Sequence, residues 1–402
     1  MFEIVKLISS RGKDKVDFQF NEDQRAIQQL ARQIAKERVA PRAAEMDETG
    51  EYPEDIFGVF RDAGLLGVGL PEEYEGSGAG ITGLAIAVEE TAKYCNSSAL
   101  ILLLTRLGTS AILFGGNSEQ KRHYLTAVAT GKMRSAFGLT EPGTGSDSAN
   151  IRTTARKDGD HYILNGTKHW ISGATVADFF IIATKTRPDA GNKGMTVFLV
   201  DKDTPGFRVG KSNKKMGVKG VPTAELIMED ARVPQANILG VENEGFKLIM
   251  KNLNSLRPVV AARGLGTAEG CIDYAVNYAK ERETFGKKII EHQAIGFMLA
   301  ELAMGAEAAR LLTYQAAKMV DDGNFGKASA PYLSMAKAFA TELANKAAYD
   351  CLQVMGSYGY SAEYPMERYY RDARQLTIVE GTSQVQRLII SKALIDGDIK
   401  YS

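Results

Sequence analysis

The feature that most constrains this chain is a change of hydrophobic period that happens twice along its length. From Asn21 to about Lys132, apolar residues recur at helical spacing, as in "DQRAIQQLARQIAKERVAPRAAEM", where Ile27, Leu30, Ala31 and Ile34 fall on one face. Pro41 breaks or restarts that helix, and further helices are predicted over 53–63, 82–94, 98–114 and 118–130. From about Met133 to Ile238, short β-rich runs take over. "HYILNGTKHWIS" carries Asn165-Gly166, the dipeptide of a tight hairpin turn, and "FFIIAT" and "MTVFLV" read as buried strands with "DAGNKG" as a loop between them. From Glu244 onward the helical period returns in four long segments, which a four-helix bundle accounts for. A chain of 402 residues exceeds what one hydrophobic core serves. The reading is therefore an α+β multidomain protein: an N-terminal helical domain over 1–132, a middle β domain over 133–243 and a C-terminal helical bundle over 244–402.

Composition removes several function classes. Lys plus Arg and Asp plus Glu both number 49, so no net field favours nucleic acid or an anionic membrane. Cys95, Cys271 and Cys351 are odd in number, far apart and set in helical sequence, which predicts reduced thiols and no metal cluster. The opening "MFEIVKLISSRGKDKVDF" carries Glu3, Asp14 and Asp17 and resembles neither a secretory signal nor a transit peptide, so a cytoplasmic protein is expected, or a mitochondrial matrix protein in a eukaryote. The longest uninterrupted apolar stretch, Ala99 to Leu104, falls short of the roughly 18 residues of a spanning helix, so no membrane insertion is expected.

Several stretches carry candidate chemistry. "FGLTEPGTGSD", Phe137 to Asp147, crowds glycines and hydroxyls between two acids, a pattern that lets backbone and side-chain donors converge on an anionic or planar ligand. Alone it reads more readily as a surface turn between a helix and the first strand. "KHWISGA" holds the single tryptophan, Trp170, with Ser172 two residues on and so on the same strand face. "ERETFGKKIIEHQAIGF" and "QVMGSYGYSAEYPMERYYRD" each read singly as helix-end sequences, the second ending a helix in glycines that permit close backbone approach. "IVEGTSQVQR" places one carboxylate, Glu380, between a β-branched pair and Gly381, just ahead of a helix.

In this order, these pieces resemble the acyl-CoA dehydrogenase family of flavoenzymes over nearly the whole chain. The resemblance rests on "GLTEPGTGSD", on "QVMGSYGYSAEYPMERYYRD" with its late Arg368 and Asp372, and on "WISGA", "ERETFG", "EHQAI" and "VEGTSQVQR". "RPVVAA", Arg257 to Ala262, looks most like the medium-chain and short-chain branches. The second signature often reads Gly-Gly where this chain has Gly356-Ser357. The resemblance implies FAD as cofactor, with Phe137, Leu139, Thr140, Gly145 and Ser146 along one side and Trp170 and Ser172 at the isoalloxazine. Thr382 and Gln384 touch the same cofactor. Arg282, Thr284, Phe285, Gln293, Gln353 and Gly356 bind the adenosine end of a neighbouring subunit's FAD, so a homotetramer is implied. Ser146, Asn254, Arg257 and Gly381 fall to the acyl-CoA substrate, and electron-transfer flavoprotein is the implied acceptor.

The chemistry then explains Glu380. Forming a 2-enoyl-CoA removes a proton from Cα and a hydride from Cβ, the hydride passing to flavin N5 in this family. A free Glu, with a pKa near ~4.3, is a weak base, but a desolvated one reaches ~6–7. Flanking Ile378 and Val379 predict such a dry site, and Gly381 lets the backbone approach the thioester. Other branches draw the base from the helix position just before Arg257; here that residue is Leu256, and no Asp or Glu occurs between Glu244 and Glu269.

Two alternatives are weaker. An acyl-CoA oxidase carries an additional helical domain for which this length leaves no room, and non-enzymatic relatives that assemble complexes or bind DNA lose the acid or gain a basic extension. Arg106, in "LILLLTRLGTS", is a cation on an apolar helix, which is costly unless paired. It either reaches solvent or a structural acid, or it receives a second carboxylate on the substrate, as an arginine in this general region does in glutaryl-type relatives.

Overall fold

The computed structural model describes residues 19–399, so the expectation about the first 18 residues lies outside it. Within the described residues the first block is helical: α1 (Glu22–Ile34), α2 (Ala43–Thr49), α3 (Glu54–Asp62), α4 (Gly80–Ala92), α5 (Asn96–Leu107) and α6 (Thr109–Gly115). Asn21 opens α1 with a reciprocal capping box to Gln24. Ala31 and Ile34 face the core as expected, but Leu30 is exposed. Pro41 sits in a 3₁₀ turn where the chain restarts as α2. The expected single helix over 98–114 is two helices meeting at Gly108. Taken together, 96–115 is long and apolar enough to cross a membrane, contrary to the count of uninterrupted apolar residues, but 78% of its most apolar window is buried inside the protein. That burial is what a core helix shows.

The middle block is one twisted sheet. Strands β1 (Ser135–Gly138), β2 (Thr154–Asp158), β3 (His161–Ser172), β4 (Phe179–Lys185), β5 (Met195–Asp201), β6 (Phe207–Ser212), β7 (Thr223–Pro234) and β8 (Ile238–Leu239) run in the order β6-β7-β3-β2-β4-β5-β8, with β1 parallel to β4. Asn165-Gly166 makes no hairpin. It lies inside β3, where the register against β7 slips between Leu164 and Gly166, and the Asn165 amide bonds Asp230 across the strands. A β-carbon at Gly166 would stand 2.6 Å from the Thr153 hydroxyl, so glycine serves a close approach within a bulge. The tight turn falls earlier, at Gly159, which has φ 63°.

The last block is the expected helical bundle, with its fourth segment in two pieces. Three helices are long, α7 (Gly245–Glu281), α8 (Gln293–Asp321) and α9 (Ala330–Met355), with a small hairpin of β9 (Glu283–Thr284) and β10 (Lys287–Lys288) between the first two. The fourth segment is broken into α10 (Met366–Leu376) and α11 (Ser383–Asp396). One apolar core joins α4 and α5 to the bundle, from Leu84 and Leu102 through Leu256, Val260 and Leu343. The break between α10 and α11 holds Glu380.

Candidate active site

The connection from Thr377 to Thr382 is held at both ends. The Gln375 carbonyl accepts the amides of Ile378 at 2.9 Å and Val379 at 3.1 Å, and the Ser383 amide returns to the Thr377 carbonyl at 3.0 Å. From below, the Lys337 ammonium on α9 donates to the Leu376 and Gly381 carbonyls, both at 2.9 Å. The Gln386 amide donates to the Gly381 carbonyl at 3.0 Å. Two consecutive left-handed residues, Glu380 with φ 52° and Gly381 with φ 93°, make the turn. Glutamate rarely adopts that conformation, and it persists here because the bonds on either side fix it. A β-carbon at Gly381 would stand 2.6 Å from the Gln386 amide nitrogen. Thr382 accepts the Val385 amide at 3.2 Å and so caps α11, as expected.

Burial pushes the Glu380 carboxyl up to about 7, against the opposing charges of Lys337, Arg263 and Arg257. Its Oε2 is sealed from solvent without a hydrogen-bond partner. Ile378 does not supply the dryness expected of it, since it is 51% exposed. The apolar run marks the turn, and the walls of the site come from the helices instead. Burial also moves the surrounding cations, lowering Lys337 to about 8 and both Arg257 and Arg263 to about 10. Sequence reasoning missed Arg263 and Lys337, although each stands in an apolar helical run, "VVAARGLG" and "LSMAKAFA", the same signal that marked Arg106.

The β side of the site is built from β1, β3 and the 138–147 loop. Lys168, fully buried, donates to the Leu139 carbonyl at 3.2 Å and to Glu141 at 2.8 Å. Glu141 also accepts the Arg152 amide at 2.6 Å and the Thr153 amide at 2.9 Å. The acid of the first motif is thus structural: it ties the loop to β3. The His169 amide on the Thr140 carbonyl, at 2.8 Å, continues the tie. A second bulge between Lys168 and Ile171 turns Trp170 outward at φ 62°, 55% exposed and stacked on His169. Ser172 follows and pairs with Thr223. Just before that strand, the Val218 amide donates to Asp372 on α10 at 2.5 Å. Phe137, Leu139, Thr140, Trp170 and Ser172 are therefore brought to the sheet end that is joined to the helix leading into Glu380. Gly145 and Ser146 are exposed on the loop.

The remaining expected cofactor residues form a separate group. Arg282 ends α7 with its guanidinium 5.9 Å from the Tyr358 ring centroid, which places "ERETFG" beside "GSYGY". Phe285, at the hairpin tip with φ 50°, is 96% exposed. Thr284 is half-buried, Gln293 and Gln353 are exposed, and Gly356 turns the chain at φ 60°. Gln353 lies 16 positions beyond Lys337 on α9, roughly 24 Å along the helix axis. Within one chain, this group does not belong to the Glu380 cluster.

On α7, Asn254 donates to the Phe325 carbonyl at 3.2 Å and Arg257 to the Ala330 carbonyl at 3.4 Å, with Arg257 Nε unpartnered. Arg106 is 4% exposed, and its Nε and Nη1 have no partner. It lies against Gly69, where a β-carbon would stand 2.9 Å from its Cγ. Burial lowers it to about 10, and Asp321 is the charge that offsets this. That aspartate already accepts the Ile81 amide at 2.6 Å and the Thr82 amide at 3.0 Å at the start of α4. The structure does not bring Arg106 into the cluster around Glu380.

The start of α11 offers a place for a dinucleotide's pyrophosphate. The N-terminus of α11, with Thr377, Thr382, Ser383 and Gln384, lines a cleft of about 330 Å³, and helix N-termini favour phosphate. Comparison with known proteins decides the family. Residues 21–132, 136–231 and 243–395 match the N-terminal, middle and C-terminal domains of acyl-CoA dehydrogenase. The chain belongs to the acyl-CoA dehydrogenase family. It is 44% identical over 378 residues to an acyl-CoA dehydrogenase of Bacillus subtilis (strain 168), covering 94% of this chain and 99% of that one. A solved chain described under the electron transferring flavoprotein of Acidaminococcus fermentans superposes with a TM-score of 0.91 at 41% identity, covering 94% of this chain and all of that one. Butyryl-CoA dehydrogenase from Megasphaera elsdenii does so with 0.91 at 37% identity and the same coverage. Members of this family are flavoproteins, and the general chemistry of the chain is dehydrogenation of acyl-CoA thioesters.

Proposed function

We propose that Glu380 is the general base that takes the α-proton of an acyl-CoA thioester on its way to the 2-enoyl-CoA. The observation that carries this reading is the sealed, unpartnered Glu380 Oε2 with its pKa at about 7. A base poised there is ionised at neutral pH and still accepts a carbon-bound proton effectively. The positive-φ turn and the Lys337 bonds hold the carboxylate in place before substrate arrives, and Gly381 leaves room for the thioester. The Glu380 amide is the backbone donor for the thioester carbonyl, favouring the charge that develops on oxygen as the proton leaves. FAD, when bound, supplies the acceptor for the Cβ hydride at N5. Phe137, Leu139, Thr140, Gly145, Ser146, Trp170, Ser172, Thr382 and Gln384 would hold it from this chain, with Ser146, Asn254 and Arg257 toward the CoA ester. Arg282, Thr284, Phe285, Gln293, Gln353 and Gly356 would serve a second copy's cofactor. Exposed Phe297, Met304 and Leu311, seven residues apart on α8, support a bundle face covered in a homotetramer. Electron-transfer flavoprotein is the acceptor that the Acidaminococcus likeness supports.

The test is anaerobic titration of the purified flavoprotein with straight, branched, cyclic and dicarboxylic acyl-CoA thioesters, following bleaching of the flavin. Bleaching by a subset is expected, and bleaching by none overturns the reading. For the acyl group, a dicarboxylic thioester would have to extend its far carboxylate away from the Glu380 cluster to Arg106 beside Gly69, where two guanidinium nitrogens have no partner and could bind it in parallel bonds. Arg106→Leu should then lose succinyl- or glutaryl-type substrates and spare butyryl-CoA. A wild type inactive on every dicarboxylic thioester rules this out.

A further inference from the structure

Arg263 lies one helical turn and a half beyond Arg257 on α7 and is among the largest fully buried side chains in the molecule. Its Nη2 donates to the Gln375 side chain at 2.9 Å, and its Nε has no partner. Gln375 is the residue whose carbonyl accepts the Ile378 and Val379 amides and so starts the turn that carries the base. Arg263 thus touches the turn at its origin, while its charge acts on Glu380 without an ion pair between them. The other charges facing Glu380 are Arg257, also on α7, and Lys337 on α9. Those around Arg263 are Asp372 on α10, Lys215 in the segment before β7, Glu380 and the thiol of Cys95 ahead of α5. Asp372 accepts the Val218 amide and is the largest of the opposing charges on Arg263, while burial holds its own carboxyl up at about 6.

A buried guanidinium with an idle donor is expensive unless its charge is used. We infer that Arg263 is a positioning residue for Glu380: it fixes the Gln375 turn and holds the base in its ionised form. This rests on Glu380 being the base. It assigns to Arg263 what neither the bundle packing nor the charge of Asp372 requires, a long-range influence on proton transfer.

The experiment uses the FAD-loaded protein and a 3-thia-acyl-CoA, in which sulfur replaces Cβ, so that proton transfer proceeds and hydride transfer does not. Exchange of the α-hydrogen into D₂O is followed by NMR across pH, with flavin content and melting temperature read on the same samples. Removing the cation favours the neutral acid, so in Arg263→Leu the acidic limb of exchange should move up by about one pH unit, a roughly tenfold additional loss at pH 6 that falls at high pH to the residual slowing shared with Gln375→Leu. Arg263→Lys should restore the limb. Gln375→Leu, which cuts the link and keeps the charge, should slow exchange at every pH without moving the limb. Equal slowing of Arg263→Leu at all pH values overturns the inference, because packing alone would do that. Should the leucine variant fail to fold, Arg263→Gln removes the charge with a polar side chain and reads the same limb. Exchange in Glu380→Gln at the wild-type rate would instead remove the base reading, leaving a distinct result.

Discussion

Glu90 is buried and Glu380 half-buried with one oxygen sealed from water, both with several cations nearby, and they titrate on opposite sides of the ordinary value. Burial pushes Glu90 up, but the Arg32 hydrogen bonds, at 2.9 and 3.1 Å, and the charge of Lys93 overcome it, so its pKa ends lowered. Around it, Lys93 reaches Glu269 at 3.0 Å, and Arg310 contacts both Glu269 and Glu89, the latter at 2.8 Å. Every acid in that knot touches a base. Around Glu380 the three cations bond to backbone carbonyls and to Gln375, none of them to the carboxylate, and burial wins. Contact, not the number of nearby charges, sets the sign. The first arrangement builds a domain junction, and the second leaves the proposed base free to take a proton.

The largest effect should come from removing that base. Glu380→Gln keeps the shape of the side chain and is expected to retain FAD while losing flavin reduction by about 10²–10⁴-fold, the usual contribution of a positioned base. Stopped-flow reduction with the best thioester checks it, and substantial residual turnover would exclude Glu380 as the base. In the wild type, the rate should rise with pH through an acidic limb near 7, where Glu380 ionises.

Breaking the paired knot should cost stability instead. Glu89→Ala removes one carboxylate from Arg310, which keeps Glu269, and leaves the buried Tyr314 hydroxyl without its acceptor. Leaving a buried polar group unsatisfied costs about 1–3 kcal/mol. Chemical denaturation of the holoenzyme should show that loss with the limb near 7 unmoved. A shifted limb would mean that the two regions are electrostatically coupled.

The comparison also shows what sequence could and could not reveal. The two changes of period marked the helical, β and helical blocks because period follows burial on one face, and the turn at Glu380 was legible because glycine and a helix cap follow it directly, while its proposed role as base came from the family resemblance. Asn165-Gly166 misled because a bulge and a hairpin ask the same φ freedom of glycine, and only pairing with β7 tells them apart. Arg263 and Lys337 were passed over because a lone cation in an apolar helix looks alike whether it meets a carbonyl, an acid or a substrate. Arg106 was singled out on that same pattern, and the structure sets it beside Gly69 rather than Glu380.

The same substitution that abolishes turnover should stabilise the fold at alkaline pH. A carboxyl whose pKa is raised on folding imposes no penalty below its unfolded value near ~4.5, and the penalty grows as pH rises to about 7, beyond which it is constant. Glu380→Gln removes it, so the variant should equal wild type near pH 4.5 and exceed it at pH 8 by at most ~3 kcal/mol. Melting curves at both pH values decide this. Equal stability at pH 8 would mean that the carboxylate is solvated or directly paired.

The smallest effect should come from Glu90→Gln, and its pH dependence should run the other way. Glu90 is depressed on folding, so its contribution is present above the unfolded pKa near ~4.5 and is lost as pH falls through the lower folded value. Arg32 is 53% exposed, and water takes up part of the lost contact, which limits the cost to about 1 kcal/mol at pH 7. The deficit relative to wild type should shrink as pH falls through the depressed Glu90 value and the native carboxylate takes up a proton, whereas the Glu380→Gln advantage appears only as pH rises. Denaturation of both variants from pH 3 to 8 would therefore trace two difference curves of opposite slope. If Glu90→Gln instead gained stability with rising pH, its ion pair would be too weak to overcome desolvation, and the contrast between paired and unpaired cations would lose its physical basis.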